Sequence, residues 1–485
     1  MAFVKALPMY RRTILLGVPL LLAAAPPSSA PSPIGLRTDL GTWTDDFDGL
    51  MKRRVIRILA PYSRTLFFED RGTLYGTVGE NARLLEIWLN KKFKTGSRPI
   101  VVAVIPTTRD QLLGDLLAGR GDIGAGDITV SQDLAKQVAF THPLLRAVKE
   151  ILVTDAKTPH FADADALSGT QVATREGTSS FKSLQALNQR LTAAGKPPVK
   201  LVLVPAALEN EDMMEMVAAE LLPPIVVDDW IVGLWATLIP GLTPQPQAVL
   251  REGADIAWGV RLNNPKLLQV LNEAVDQGDH TERFSNRMKF YLRKLKQIHS
   301  ATTGEDVQRF QTLRKLFERY GQEYGFDDLL LQAQSYQESR LQQETRSHAG
   351  AIGLMQLLPR VGASMKVGDI QQADPNVHAG AKYMLELIDK YFPDARFDEQ
   401  NRTLFAFASY NAGPAAIARM RKLAAAQGLQ QDIWFNNVER VTAANIGQEP
   451  VRYVRNIYKY YIAYKLLDEH EQATKAAKMS VSKSP

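Results

Sequence analysis

The chain of 485 residues contains no cysteine. That absence excludes disulfides, thiolate nucleophiles, cysteine-ligated zinc and attachment of a lipid to a cysteine. Histidine is scarce: seven residues, at positions 142, 160, 280, 299, 348, 378 and 470, no two of them three to five apart. A histidine-pair metal site on one helix face is therefore not expected, and neither a metal nor a cofactor is. Charge of one sign is also short, with 58 Lys+Arg against 52 Asp+Glu and a formal charge of +6. The basic residues are mostly dispersed and belong to no recognisable nucleic-acid module, so no nucleic-acid partner is expected. What is present is ordinary globular composition, 45% apolar and 23% charged, in a length that implies about two to four domains.

Residues 1–30 carry Lys5, Arg11 and Arg12 and no acid, then the apolar run Ile14–Ala25, then Ser28, Ser29 and Ala30. A basic start, a short apolar stretch and small residues describe an export signal. The run is about a dozen residues, below the roughly 20 that span a bilayer as a helix. Pro31 after the cut site leaves an uncleaved anchor as the competing reading. Half of the formal charge sits in this segment, so bulk charge says little about partners. Residues 31–51 read as a linker.

From 52 to 277, short β-branched runs (Val55–Leu59, Ile100–Ile105, Gln171–Thr174, Lys200–Val204) alternate with amphipathic stretches such as Asn81–Phe93. This alternation predicts parallel sheets wrapped by helices, with ligands at the carboxyl ends of strands. Four collinear stretches, LLAGRGDIGAGDITVSQDLAKQVAFTHPL (116–144), REGTSSFKSL (175–184), IVVDDWI (225–231) and IAWGVRLNNPKLLQVLNEAV (256–275), resemble landmarks of the family 3 periplasmic solute-binding proteins. The resemblance implies two α/β lobes on a hinge, lobe one being 52–150 plus 236–275 and lobe two 151–235. It also implies a small-ligand site using Thr129, Thr178, Ser179, Asp228 and Asp229. One position departs from the family: the carboxylate-clamping arginine, five residues beyond Thr129, is Leu134. Without that bidentate guanidinium a plain amino acid is a poor ligand. A peptide or muropeptide is the expected alternative, with Asp228 or Asp229 pairing an ammonium and Thr178 or Ser179 donating to an acyl oxygen. A cleft that binds nothing, with these residues as loop caps, is the plainer reading.

Residues 278–304 form a basic connector: Phe284, Met288, Tyr291, Leu295 and Ile298 make one helical stripe among Arg283, Arg287, Lys289, Arg293, Lys294 and Lys296. Such helices lie on anionic surfaces, including peripheral membrane sites, or simply pack with their charges solvated.

From 305 to 465 the pattern is helical. Asn376–Phe392 and Pro450–Tyr461 are amphipathic, and Gly413-Pro414 punctuates a helix end. QSYQESRLQQETRSHAGAIGLMQLLP (334–359), ASYNAGPAAI (408–417) and GQEPVRYVRNIYKYY (447–461) closely resemble the transglycosylase SLT domain, related in fold to goose-type lysozymes. With the first half, the order resembles the membrane-bound lytic transglycosylase F family. The expected fold is therefore multidomain: a two-lobed α/β periplasmic-binding-protein-like domain followed by an all-α lysozyme-like domain, with a fraying tail over 466–485.

Glu338 falls near the end of a helix predicted to open around Asp327, on a face with Leu331 and Ser335. A carboxyl against apolar packing has its pKa raised and can act as a general acid. Ordinary glycosidases pair two carboxylates, and the other candidates here are Glu344, Asp374, Glu439 and Glu449. Glu344 lies roughly 240° around a helix from Glu338 and is off its face. The resemblance implies that one glutamate suffices: Glu338 is acid and then base, and the substrate's C6 hydroxyl closes a 1,6-anhydro sugar. By the same carry-over Ser347, Gln356, Tyr410 and Asn411 line the saccharide cleft, with Glu449 and Tyr453 behind them. The implied partner is peptidoglycan glycan and the implied place the periplasm, at the outer membrane of a Gram-negative bacterium. A lysozyme-like hydrolase, or a solute sensor that only binds wall through its second half, stays open at this level.

Overall fold

The computed structural model describes residues 41–70, 73–277 and 304–481. The export segment, most of the linker and the basic connector stripe lie outside the described residues.

The α/β half opens with helix α1 (Phe47–Arg53), whose cap Asp46 accepts from the Phe47 amide. Strand β1 (Val55–Pro61) follows, and Ile56, Ile58, Leu59 and Ala60 are all buried. A strand buried on both faces reads as a continuous apolar run, as a parallel sheet requires. β1 pairs in parallel with β4 (Val101–Thr107) and with β5 (Ile123–Thr129). Between them come the hairpin β2 (Phe68–Asp70) and β3 (Thr73–Tyr75), and helix α2 (Thr77–Lys92). The stripe expected over Asn81–Phe93 is there, but the helix starts four residues earlier and buries Val78, Ala82, Leu85 and Leu89.

The chain continues through α3 (Leu112–Leu117), α4 (Gln132–Ala135), β6 (Val138–Phe140), β7 (Leu145–Asp155), β8 (Gln171–Thr174) and α5 (Ser179–Ala193). Then come β9 (Lys200–Leu203), α6 (Asn210–Ala218), β10 (Ile225–Asp228), α7 (Asp229–Trp235), β11 (Leu242–Arg261) and α8 (Pro265–Gln277). The sheet order is β4-β1-β5-β11-β7-β10-β8-β9, with β6 also on β11. Its centre differs from the all-parallel expectation. β7 and β11 are long antiparallel partners, from Leu242↔Asp155 at one end to Ile256↔Leu145 at the other, with four register shifts. β7 spans the boundary expected between the lobes at residues 150 and 151, and bulges of this kind bend and twist a ladder. A separate apolar cluster gathers Leu152, Leu167, Val172, Leu184, Leu187, Val226 and Ala248 of β11.

The second half is helical: α9 (Gly304–Tyr324), α10 (Asp328–Ser339), α11 (Pro359–Met365), α12 (Ala373–Tyr391), α13 (Glu399–Ala412), α14 (Pro414–Ala426), α15 (Glu439–Asn445) and α16 (Gln448–Val481). Gly413, at φ 87°, separates α13 from α14, and Pro414 takes the first helical position, where its missing amide costs nothing. α16 is helical to Val481, within the stretch expected as a tail. Its end is rich in Ala, Lys, Glu and Gln, residues of high intrinsic helix propensity that need no apolar stripe. Buried apolar residues of both halves join in one cluster, from Phe47 to Tyr464.

Candidate active site

α10 is capped by Asp327, whose carboxylate accepts from the Leu329 and Leu330 amides at 2.8 and 3.1 Å. It ends at Arg340, in the left-handed region at φ 55°. On its inner face Ser335 and Ser339, one turn apart, both donate to the carbonyl of Leu354 at 3.0 Å. Asn376 of α12 accepts from the Met355 amide at 2.8 Å and donates to the Ile352 carbonyl at 2.9 Å. Tyr410 of α13 donates to the Met355 carbonyl at 2.7 Å. Three helices thus hold one turn, 352–357, beside Glu338. Gly353 makes this possible: its φ is 78°, and a Cβ there would come within 2.4 Å of the Asn376 amide.

Glu338 is half-buried, and its Oε1 accepts from the Tyr453 hydroxyl of α16 at 2.5 Å. Burial pushes its carboxyl up to about 7; the Tyr453 hydrogen bond opposes this and the Glu449 charge adds to it. Among the described residues no cation bears on it. Glu449 itself is exposed and accepts from Asn411 Nδ2 at 3.0 Å.

The other acids are occupied elsewhere or exposed. Glu439 is buried under Arg455 at 2.9 Å, Asp374 takes the Tyr320 hydroxyl at 2.7 Å, and Glu344 is exposed. Among the residues expected in the cleft, Glu338, Tyr453, Tyr410, Asn411 and Glu449 come together around one locus. Gln356 turns its amide back to the Thr345 and Gly353 carbonyls at 3.1 and 3.0 Å, from a strained φ of 45°. Ser347 is exposed, and its hydroxyl accepts from the Ala351 amide. Both therefore shape the turn in this structure. Ser335, Ser339 and Asn376 are supports that the reading of single motif positions missed; the four-residue spacing of the two serines was the available signal.

In the α/β half, Asp228 ends β10 and lies 3.4 Å from Arg251 Nη2, which also meets Glu150 at 3.1 Å. Ser179 and Ser183 donate to the same Glu150 carboxylate. Burial, with Asp127 and Glu150 nearby, pushes the Asp228 carboxyl up to about 8 in spite of Arg251. Asp229 accepts from the Lys149 amide. Thr178 caps α5 by accepting from the Phe181 amide, and Thr129 is a ladder residue opposite Ile256. Ser179, Asp228 and Asp229 thus converge on the crossing strands, whereas Thr178 and Thr129 make local structure. Glu150, Arg251 and Asp127 went unread because they meet only through pairing of strands a hundred residues apart.

The two halves meet along α16. Asp212 of α6, 2% exposed, lies 2.9 Å from Lys459 and 3.3 Å from Arg455, and Arg64 reaches it at 3.2 Å. Lys459 and Arg64 also hold Glu215, at 2.6 and 2.9 Å. Burial raises the Asp212 carboxyl, but Lys459, Arg64 and Arg455 together hold it well below the usual carboxylate range. Gln448 donates to Tyr62 Oη at 3.1 Å and to the Glu69 carbonyl at 2.8 Å. Tyr453 and Arg455 point roughly 200° apart around the helix. One face of α16 therefore addresses Glu338 while the other is bolted to the first half.

Among the described residues no group of three or more His, Asp and Glu is disposed to hold a metal ion.

Fold and site together describe a two-part protein, an α/β half built on one mixed sheet followed by a helical half that carries the Glu338 site. Residues 61–294 match the bacterial extracellular solute-binding proteins, family 3, and residues 315–433 match the transglycosylase SLT domain. The latter match ends before α16. The chain is similar to the membrane-bound lytic murein transglycosylase F of Desulfosudis oleivorans, 27% identical over 73% of this chain and 79% of that protein. It is similar also to that of Pseudomonas putida KT2440, 26% identical over 84% of each. Among solved structures, an amino acid ABC transporter substrate-binding protein from Streptococcus pneumoniae bound to L-arginine matches with a TM-score of 0.41 and 13% identity. It covers 52% of this chain and 98% of its own. An ancestral amino acid-binding protein, a precursor of cyclohexadienyl dehydratase, matches at 0.39 and 19%, over 51% and 98%.

Proposed function

We propose that this chain is a peptidoglycan lytic transglycosylase that uses Glu338 as its one acid and base. The observation that carries the reading is a recessed carboxyl with a raised pKa, hydrogen-bonded to a neutral phenol and, among the described residues, free of any cation. A group ionising near neutrality can both give and take a proton. Protonated Glu338 donates to the glycosidic oxygen as the bond from C1 of N-acetylmuramic acid to the N-acetylglucosamine O4 breaks. The substrate's N-acetyl group steadies the cationic C1. The C6 hydroxyl then bonds to C1 and returns its proton to Glu338, so no water is consumed and the acid is regenerated. Asn411 and Tyr410 border the sugar cleft.

A hydrolase reading rests on Glu449, the one other carboxylate among the described residues whose charge reaches Glu338. Glu449 would then activate a water. Mass spectrometry of products from purified sacculi separates the two, since anhydro ends are lighter than hydrolytic ends by one water. Reducing ends alone would defeat the transglycosylase reading.

The first half, in this proposal, is regulatory and takes a wall-derived peptide or muropeptide between its lobes. Support comes from Leu134, and from an acid-rich floor of Asp127, Glu150 and Asp228 facing Arg251. A ligand acts there only through unequal affinity for two arrangements of the halves. Titration calorimetry of the full chain with tetrapeptides and free amino acids tests this; tight binding of a plain amino acid and of nothing larger overturns it. Export to the periplasm and peripheral attachment at the outer membrane complete the proposal. They are supported by the residue pattern of 1–30 and by relatives named as membrane-bound. No described helix is long and apolar enough to cross a membrane.

A further inference from the structure

We infer that Gln334 is a positioning residue that fixes the direction of the Tyr453 proton and thereby assigns which oxygen of Glu338 carries the catalytic one. The inference rests on the reading of Glu338 as the acid.

Gln334 lies on α10 one turn before Glu338 and is fully buried. Its Nε2 donates to Tyr453 Oη at 3.3 Å, and Tyr453 Oη is 2.5 Å from Glu338 Oε1. A phenol has one proton. With its oxygen accepting from the amide, that proton is directed at Oε1. The Tyr453 hydroxyl is itself buried, and burial together with the Glu338 charge holds its pKa well above the usual phenol value, so it stays a donor. Glu338 Oε1 is then committed as an acceptor, and the transferable proton belongs on Oε2. Without Gln334 the phenol is free to turn and accept from a protonated Glu338, which favours the acid form.

Gln334 Oε1 has no hydrogen-bond partner among the described residues. A buried amide half-satisfied in this way is costly, and bonding a reacting group's partner gives it a reason to be there. The titratable groups that bear on Glu338 are Tyr453 and Glu449 from α16 and Tyr410 from α13. Gln334 is neutral and acts on this set only through Tyr453.

The test is the pH dependence of kcat on purified sacculi for the full chain, Gln334→Met, Tyr453→Phe and the double variant. Loss of activity at high pH reports deprotonation of Glu338. Gln334→Met is expected to move that limb upward by roughly half a unit, the size of one weakened neutral hydrogen bond. Tyr453→Phe is expected to move it further upward, and Gln334→Met to add nothing in the Tyr453→Phe background. A downward shift in Gln334→Met would mean that the amide oxygen takes the phenol proton, and overturns the inference. An equal shift with and without Tyr453 overturns it too, as does no shift in a variant with unchanged circular dichroism. If Glu338→Gln retains full activity, the underlying assignment of the acid has failed instead, and the two failures stay distinct.

Discussion

Glu338 and Asp212 are both carboxylates recessed in protein at the two faces of α16, yet their pKa values move in opposite directions. Burial raises both. Around Glu338 the neighbours are a phenol and another acid, so the penalty stands and the group ionises near neutrality. Around Asp212 three cations reverse the penalty, and the group stays charged. Burial alone therefore makes neither a catalytic acid nor a structural anchor; the presence or absence of a counter-charge decides between them.

The comparison can be broken by substitution, and the largest effect is expected at Glu338. Glu338→Gln is expected to lower turnover on sacculi by about 10²–10⁴-fold, the range of general acid catalysis, with wall binding retained in a pull-down assay. Asp212→Ala comes next. It leaves Lys459 and Arg64 short of a partner in a buried joint and is expected to cost about 3–5 kcal/mol in urea unfolding. Pairing it with Lys459→Met should recover much of that loss.

The third effect has the opposite sign. The folded pKa of Glu338, about 7, exceeds its unfolded value of about 4.3, so the stability it contributes is fully present below about 4.3. That contribution is lost as pH rises to about 7. Glu338→Gln should therefore be the more stable protein at pH 8, by on the order of 2 kcal/mol. The gain should vanish near pH 4 in thermal melts. For Asp212, depressed in the fold, the sign reverses: its contribution is present above about 3.9 and goes only as pH falls below that value. The smallest expected effect is at Tyr410. Tyr410→Phe frees the Met355 carbonyl and should cost about 1 kcal/mol, read as a lowered Tm.

Much of the candidate site was legible in the sequence because its parts lie in contiguous motifs. Glu338, the glycine turn and the Tyr410-Asn411 helix end are each readable from a few neighbouring residues. Gln356 and Ser347 are expected to line the cleft, and in the structure their polar atoms serve the turn itself. Glu150 with Arg251, and Asp212 with Lys459, escaped because each pair is separated by a hundred residues or more. Only strand register and the docking of α6 on α16 bring them together. Helical spacing did carry a hint: Arg455 and Lys459 share a face, and that face is not the one bearing Tyr453. The long pairing of β7 with β11 was hidden for a similar reason, since a twenty-residue strand with shifted pairing has no simple alternation to read.

The central claim is that Glu338 is the single acid, held protonated near neutrality by burial without a counter-ion. Carboxyl-carbon NMR of the full chain labelled at glutamate, with Glu338→Gln used to assign the resonance, measures this directly. A titration midpoint close to 7 is expected. A midpoint near 4.3, the value of a solvated glutamate, would contradict it.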